Sequence, residues 1–455
     1  MTRAISIRPQ RGGALFLLLG IIALAFGWRW FSTPPAIARD AITLQALAEA
    51  RQTLINWSVQ RRGAGGSGGS NYARPGALPC PDLHQPQSDS AGYVGNDKAA
   101  TCSTQTSRLG RMPWRSLQHA DVKDGAGETL WLAVAEPFND SDNAVLNPDT
   151  PGLWFSAFDA AAKVALSNAA DPPVALILAP GAALAAQSRL TPAERIKPTS
   201  YLEKATLAGI KYSNVDASVT PFISGPLADQ TGKLLLNDRI AVIRRSDLML
   251  PIEARVARQY QQLLAWWAAA HNGDLPHPAA PADPECTRQE GATNQLGCEP
   301  EPPRCSGRLP KSSWLINELD KDVDASLLSE AMWLYRNRWE QQFYYAVSGD
   351  AACPSALHIA ATAGVVDSRA VMISSGVAQP GQHRDTALAR SQLENYLEPI
   401  AAWHHPTAGV VMPDINQRGW SEASVTWLAA PAGNDRMYRY EEGSADGQAQ
   451  WLLTR

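Results

Sequence analysis

Arg74-Pro75-Gly76-Ala77-Leu78-Pro79-Cys80-Pro81-Asp82, then Cys102, then Gly110-Arg111-Met112-Pro113-Trp114, then Asp124-Gly125-Ala126-Gly127-Glu128-Thr129-Leu130-Trp131-Leu132-Ala133-Val134 is the stretch on which the fold turns. Prolines on both sides of Cys80 fix φ and remove N–H donors. That cysteine therefore belongs to an ordered connection and not to a helix or a central strand. Asp124-Gly125-Ala126-Gly127 reads as a turn, and the apolar run after it has the length and composition of a buried strand.

Upstream, Asp40 follows Pro34-Pro35 as a candidate N-cap, and Leu47, Ala50, Leu54 and Trp57 recur at helical spacing. One apolar face of a helix is expected there, laid on a sheet. The glycine- and serine-rich run 61–71 is a linker; it lacks the Lys-Ser/Thr ending of a phosphate-binding loop. Downstream, strands are expected over 174–179 and 239–244. Asp247 and Pro251 then open a second helix, with Ile252, Val256, Tyr260, Leu263 and Trp267 on one face.

The chain has 455 residues, 45% of them hydrophobic and 18% charged, which is globular composition with room for more than one domain. A net charge of -4 and the lack of a basic stripe exclude a phosphate-backbone partner, so no nucleic acid is expected. Residues 12–33 hold the run Ala14-Leu15-Phe16-Leu17-Leu18-Leu19-Gly20-Ile21-Ile22-Ala23-Leu24-Ala25-Phe26, closed by Trp28, Arg29 and Trp30. Roughly twenty such residues match a bilayer, and Arg3, Arg8 and Arg11 place residues 1–11 in the cytoplasm. The favoured reading is a single-pass inner-membrane anchor; the rival is a signal peptide cut after Ala36-Ile37-Ala38. Both export the bulk of the chain, where the six cysteines meet an oxidising compartment.

Pro-Gly-x-Leu-Pro-Cys-Pro-Asp at 75–82, Cys102, Gly-Arg-x-Pro-Trp at 110–114 and Leu-Trp-x-Ala-Val at 130–134 occur in an order that resembles the globular head of bacterial type IV minor pilins and type II secretion pseudopilins. The resemblance covers mainly residues 41–250. It implies a helix packed on an antiparallel sheet, and partners that are other pilin or pseudopilin subunits and inner-membrane assembly proteins. The family's usual Gly-Phe-Thr-Leu-Ile-Glu start is absent: Gly12 and Gly13 lead into a run without any acid. Cys80 and Cys102 are the expected disulfide. Connectivity among Cys286, Cys298, Cys305 and Cys353 is not legible.

The second half repeats the first. Ser200-Tyr201-Leu202-Glu203 returns as Asn395-Tyr396-Leu397-Glu398, Gln187-Ser188-Arg189 as Gln382-His383-Arg384, and Gly181 as Gly376, all at an offset of 195. Gly110-Arg111-Met112-Pro113 returns as Gly307-Arg308-Leu309-Pro310 at 197, and Leu132-Ala133-Val134 as Tyr345-Ala346-Val347 at 213. The change from 197 to 213 marks an insertion of 16 residues, assigned to a helix around Leu327, Ala331, Leu334 and Tyr335. Cys286 and Cys305 fall near the places of Cys80 and Cys102. Collinear order points to a duplication.

The expected architecture is therefore α+β: a transmembrane helix at 12–33, then two tandem pilin-like units at 40–248 and 249–455, each an amphipathic helix on an antiparallel sheet. No catalytic set is legible. His84 near Cys80 suggests a Cys-His pair, but a disulfide cysteine is structural, and His404-His405 lacks further metal ligands. Asn139, Asp140, Asp142 and Asn143 form a weak calcium candidate, without the glycine and glutamate of an EF-hand. Of the 15 tryptophans, Trp266, Trp267, Trp333 and Trp339 read as core; Trp403, Trp420 and Trp451 are open to a surface role. No cofactor is expected. The functional expectation is a non-enzymatic, periplasm-facing subunit or accessory of a type IV pilus or a type II secretion-like machine. The alternative is an exported binding module or adhesin for a glycan or protein.

Overall fold

The computed structural model describes residues 35–61, 74–84, 102, 108–139, 145–151, 155–184, 187–217, 221–279, 304–310, 333–361 and 364–397, with short stretches at 403–404, 411–412, 426–428, 436–441 and 450–453. Helix α1 (Pro35–Gln60) starts earlier than the cap at Asp40 suggested. Proline is preorganised for a first helical turn, and Asp40, now inside the helix, pairs with Arg239 at 2.7 Å instead of capping. Ala46, Leu47, Ala50 and Leu54 are buried, the inward stripe that their spacing demands.

The first half then builds β1 (Leu109–Arg111), β2 (Trp131–Val134), β3 (Ala157–Asp159), β4 (Val164–Ala165), β5 (Pro173–Ala179), β6 (Lys204–Leu207), β7 (Ile210–Ser213), β8 (Phe222–Ser224), β9 (Leu227–Ala228), β10 (Leu234–Leu236) and β11 (Arg239–Arg244). Its main sheet is antiparallel, in the order β1-β2-β5-β11. Every residue of β5 is buried, which its unbroken apolar run Pro-Val-Ala-Leu-Ile-Leu-Ala requires. Arg51 on α1 donates to the Val242 carbonyl of β11 (3.0 Å) and pairs with Asp247 (2.6 Å), locking helix to sheet.

Helix α2 (Arg245–Ala270) follows β11 without a loop. Its start is fixed by Asp247, whose carboxylate accepts the Arg244 backbone N–H at 2.7 Å. The second half adds β12 (Ser306–Arg308), β13 (Phe343–Val347), β14 (Leu357–Ala361), β15 (Gly364–Ser368), β16 (Ala370–Ser374), β17 (Trp403–His404), β18 (Val411–Met412), β19 (Thr426–Leu428), β20 (Arg436–Glu441) and β21 (Gln450–Leu453). Its main sheet runs β12-β13-β16-β20-β21, antiparallel throughout.

Registers repeat between the halves. Gly110 faces Leu132 as Gly307 faces Tyr345, and Ile240 faces Leu178 as Met437 faces Ile373. The side sheets repeat too: β4-β3-β8 and β15-β14-β19 each join an antiparallel hairpin to a parallel third strand. The two main sheets and both helices share one apolar cluster, with Leu54, Trp131, Tyr260 and Phe343 among its members.

The expected architecture is corrected in two respects. Among the described residues no helix is long and apolar enough to cross a membrane, and residues 12–33, on which the transmembrane expectation rested, lie outside them. Nor is there one sheet per half. The segments between main strands are long enough to fold on themselves, giving seven sheets among the described residues, two of them with parallel pairs. Of the inserted helix, residues 333–336 are helical; Leu327 and Ala331 lie outside the described residues.

Gly307 sets the seam between β12 and the chain after α2: a Cβ there would lie 2.0 Å from the Ala279 carbonyl oxygen. Gly127, with φ at +84° and nothing within 4 Å, is held by backbone conformation alone. Gly307→Ala is expected to destabilise by about 3 kcal/mol through displaced backbone, and Gly127→Ala by about 1 kcal/mol through its left-handed φ. Denaturant melts of the two variants check the order.

Candidate functional site

The sequence repeat around Arg189 and Arg384 is a repeat of hydrogen bonds. Arg189 donates to the carbonyls of Ser200 (2.8 Å) and Gly181 (3.0 Å) and to Gln187 Oε1 (3.0 Å), with its guanidinium 4.4 Å from the Tyr201 ring centre. Arg384 donates to the carbonyls of Asn395 (2.5 Å) and Gly376 (2.8 Å) and to Gln382 Oε1 (3.0 Å), 4.3 Å from the Tyr396 ring centre. Gly181 and Gly376 both turn their carbonyls inward from positive φ, +66° and +59°. A planar guanidinium with five donors is the one side chain able to close such a loop on all sides.

The two copies diverge in their acids. Arg189 pairs with Glu128 of its own half at 2.8 Å. Arg384 pairs with Asp149 of the other half at 3.1 Å, and Gln342 Nε2 donates to the same carboxylate at 2.5 Å. Beside them Asn147 Nδ2 donates to the Asn337 carbonyl (2.9 Å), and Asn337 Oδ1 accepts from Leu146 N–H (2.8 Å). This polar seam joins the halves where the apolar cluster ends.

Of the buried acids in the first half, Glu203 and Asp238 lie side by side. Asp238 Oδ2 accepts from Glu203 N–H (2.9 Å) and Asn214 Nδ2 (2.8 Å), while Glu203 Oε2 accepts from the backbone of Asn237 and Asp238. Burial raises both carboxyls, Asp238 well above its ordinary value, and the Glu203 charge raises Asp238 further. Burial thus favours the neutral form of both acids, most strongly at Asp238. The repeat of Asn237-Asp238-Arg239 as Asn434-Asp435-Arg436, with Glu203 answered by Glu398, is a signal in the sequence that motif reading passed over. In α2, burial raises Glu253 to about 7, opposed chiefly by the Arg436 charge, and Ser374 Oγ donates to it at 3.3 Å. Glu253 and Ser374 are both fully buried, so this Ser-Glu contact offers no path to a substrate.

The residues singled out by sequence separate as follows. Cys80 and Cys102 are bonded. His84 pairs with Asp82 at 3.0 Å, and Cys80 is no nucleophile. Asn139 is buried, its side chain donating to the Cys102 carbonyl (3.2 Å), which makes it a brace for the disulfide; Asp140, Asp142 and Asn143 lie outside the described residues. Cys305 bonds Cys353, so the Cys80–Cys102 pairing is not repeated between Cys286 and Cys305. Cys286, Cys298, His405 and Trp420 lie outside the described residues. Trp267, Trp333 and Trp339 are buried, and Trp266 packs half-buried against the same core. Trp403 and Trp451 lie in β17 and β21.

Two surface features have the exposure that binding needs. An open groove of about 410 Å³ on the β6–β7 hairpin is lined by Lys204, Thr206, Lys211, Tyr212, Ser213 and Asp216. On α1, Ile37, Ala41, Leu44 and Ala48 stand at helical spacing on the face turned from the sheet, Ile37 at 58% and Leu44 at 54% exposure. No family model, curated protein or solved structure matches the chain.

Because the folded-state pKa of Glu253 lies above its ordinary value of 4.5, the folded chain holds a proton that the unfolded chain releases as pH rises. Stability therefore falls between pH 4.5 and about 7, and the whole cost is present above that. Glu253→Gln is expected to stabilise by about 3 kcal/mol at pH 8 and by little at pH 4, read from denaturant melts at both values. Destabilisation at pH 8 would mean an ionised Glu253 held by Arg436.

Proposed function

We propose that this protein is a non-enzymatic, pilin-like subunit or accessory of a type IV pilus or type II secretion-like machine. It faces the periplasm at the inner membrane and binds other pilin or pseudopilin subunits and inner-membrane assembly proteins. The observation that carries this reading is the uncovered apolar stripe of α1, Ile37, Ala41, Leu44 and Ala48, on a helix whose opposite face is anchored in a sheet. Ile42, at 50% exposure, widens it. Such a stripe costs solvation in an isolated head and gains it back when a neighbouring helix covers it. The motif order at 75–134 and the helix-on-sheet arrangement of each half support the same reading.

A second reading, an exported adhesin or binding module for a glycan or protein, is favoured by the β6–β7 groove. There two lysines, Thr206 and the Tyr212 ring give ammonium, hydroxyl and aromatic contacts to a polar ligand.

Ile37→Asp with Leu44→Asp, expressed from the native locus, is expected to abolish piliation or secretion and to remove partner subunits from a membrane crosslinking pull-down. Both positions are exposed, so the melting temperature of the purified head should stay within a few degrees of wild type. Normal assembly by a stably expressed variant would overturn the assembly reading. Ligand capture lost in Lys204→Ala with Lys211→Ala would then support the second.

A further inference from the structure

Cys305, Cys353, His277 and Asp350 come together from three separate parts of the second half. Cys305 directly precedes β12, Cys353 and Asp350 lie on the turn between β13 and β14, and His277 follows α2. The His277 Nδ1 atom is 3.9 Å from Cys353 Sγ, and its Nε2 atom is 3.6 Å from Asp350 Oδ2. One donor atom from each of His277, Asp350 and Cys353 fits within 4.8 Å of the others. Cys305 is the fourth member through its bond to Cys353.

Each member is held by backbone. Ala279 and Arg308 exchange both of their hydrogen bonds, at 2.9 and 2.8 Å, and pin the segment of His277 beside β12. Gly349 N–H donates to the Cys353 carbonyl (2.8 Å), and Asp350 Oδ1 accepts from the N–H groups of Ala352 (2.8 Å) and Cys353 (2.7 Å). Asp350 Oδ2 is left directed at His277.

The duplication adds an independent observation. The bridge Asp82 to Arg111 in the first half corresponds to Ala279 to Arg308 in the second, both at an offset of 197. At that offset Cys80 corresponds to His277. The second copy thus carries an imidazole where the first carries a disulfide sulfur, with a different disulfide brought alongside it.

We propose that this corner is a latent zinc site opened by reduction of Cys305–Cys353, with Cys305, Cys353, His277 and Asp350 as the four ligands. A tetrahedral zinc with Zn–S near about 2.3 Å and Zn–N near about 2.0 Å holds its ligand atoms roughly 3.3–3.8 Å apart. With one donor atom taken from each, His277, Asp350 and Cys353 lie within 4.8 Å of one another, so a closure of about 1 Å brings them to that spacing around a single imidazole nitrogen. The reductant is a dithiol. Its thiolate attacks the exposed Cys305 sulfur, the Cys305–Cys353 bond breaks, and the Cys353 thiolate leaves beside His277. The second thiol of the dithiol then displaces Cys305, so one disulfide is reduced, one dithiol is oxidised, and zinc takes both thiolates as their protons are released. The metal would replace one covalent clamp between β12 and the β13–β14 turn with another. This inference does not rest on the assembly reading.

The test is a Co²⁺ titration of the full chain, oxidised and after reduction by a phosphine without air, followed by displacement with Zn²⁺. The reduced chain is expected to gain one equivalent of Co²⁺ with a thiolate charge-transfer band and tetrahedral visible bands, displaced by Zn²⁺; the oxidised chain gains none. His277→Ala should remove that equivalent. Asp350→Asn, which keeps Oδ1 for the turn, should weaken it by roughly tenfold or more. His277 is partly exposed and neither change empties the core, so near-UV dichroism of both oxidised variants should match wild type. No tetrahedral thiolate-bound equivalent on reduction, or one that His277→Ala leaves unchanged, would overturn the proposal.

Discussion

Burial of helix α2 from two sides is the constraint from which the rest of the structure follows. Eleven of its residues are buried, and they include the adjacent pairs Leu248 and Met249, Ile252 and Glu253, Val256 and Ala257, Leu263 and Leu264, and Trp267 and Ala268. Adjacent residues on a helix point about 100° apart, so these pairs describe a broad arc and not the narrow stripe of a helix resting on a single sheet. One side meets the end of α1, where the carbonyls of Val59 and of Arg61, the residue after the helix, accept from Arg255 Nη1 at 2.7 Å. Another meets the second sheet, where the Tyr260 ring lies 6.1 Å from that of Phe343. Each large side chain so buried contributes about 1.5–3 kcal/mol.

That shared burial explains why the two copies have not stayed alike. The Arg189 and Arg384 loops keep the same carbonyl and amide acceptors because those lie within the loop itself. Their acids differ: Arg384 sits at the seam and takes Asp149 from the other half, whereas Arg189 takes Glu128 from its own. A charge pair buried there contributes more to the register of the halves than to net stability, since both ions lose their water. Glu253 belongs to the same region, and its preference for the neutral form follows from burial outweighing the charge of Arg436.

Against this rigid centre, the surfaces available for partners lie at the periphery. The α1 stripe is exposed because only the opposite side of that helix is needed by the sheet. The β6–β7 groove is on a hairpin that the main core does not include. Binding at either place leaves the shared core intact, the usual division between a rigid scaffold and its interaction sites.

The sequence by itself determined several elements of the main sheets and helices and their repetition. Prolines around Cys80 forced a connection, the apolar run 174–179 forced a buried strand, and the spacing of Ile252, Val256, Tyr260, Leu263 and Trp267 forced a helical face, because each depends on neighbours within a few residues. The collinear matches at 197 and 213 fall on strands that take equivalent places in the two main sheets. Three things were decided only by tertiary structure. Cys305 bonds Cys353 across 48 residues, which depends on where the β13–β14 turn falls in space. Asp40 serves Arg239 and not the helix end, because strand β11 arrives beside it. And the two halves close over α2 as one core, since a helical pattern records how much of a helix is apolar but not which surfaces meet it.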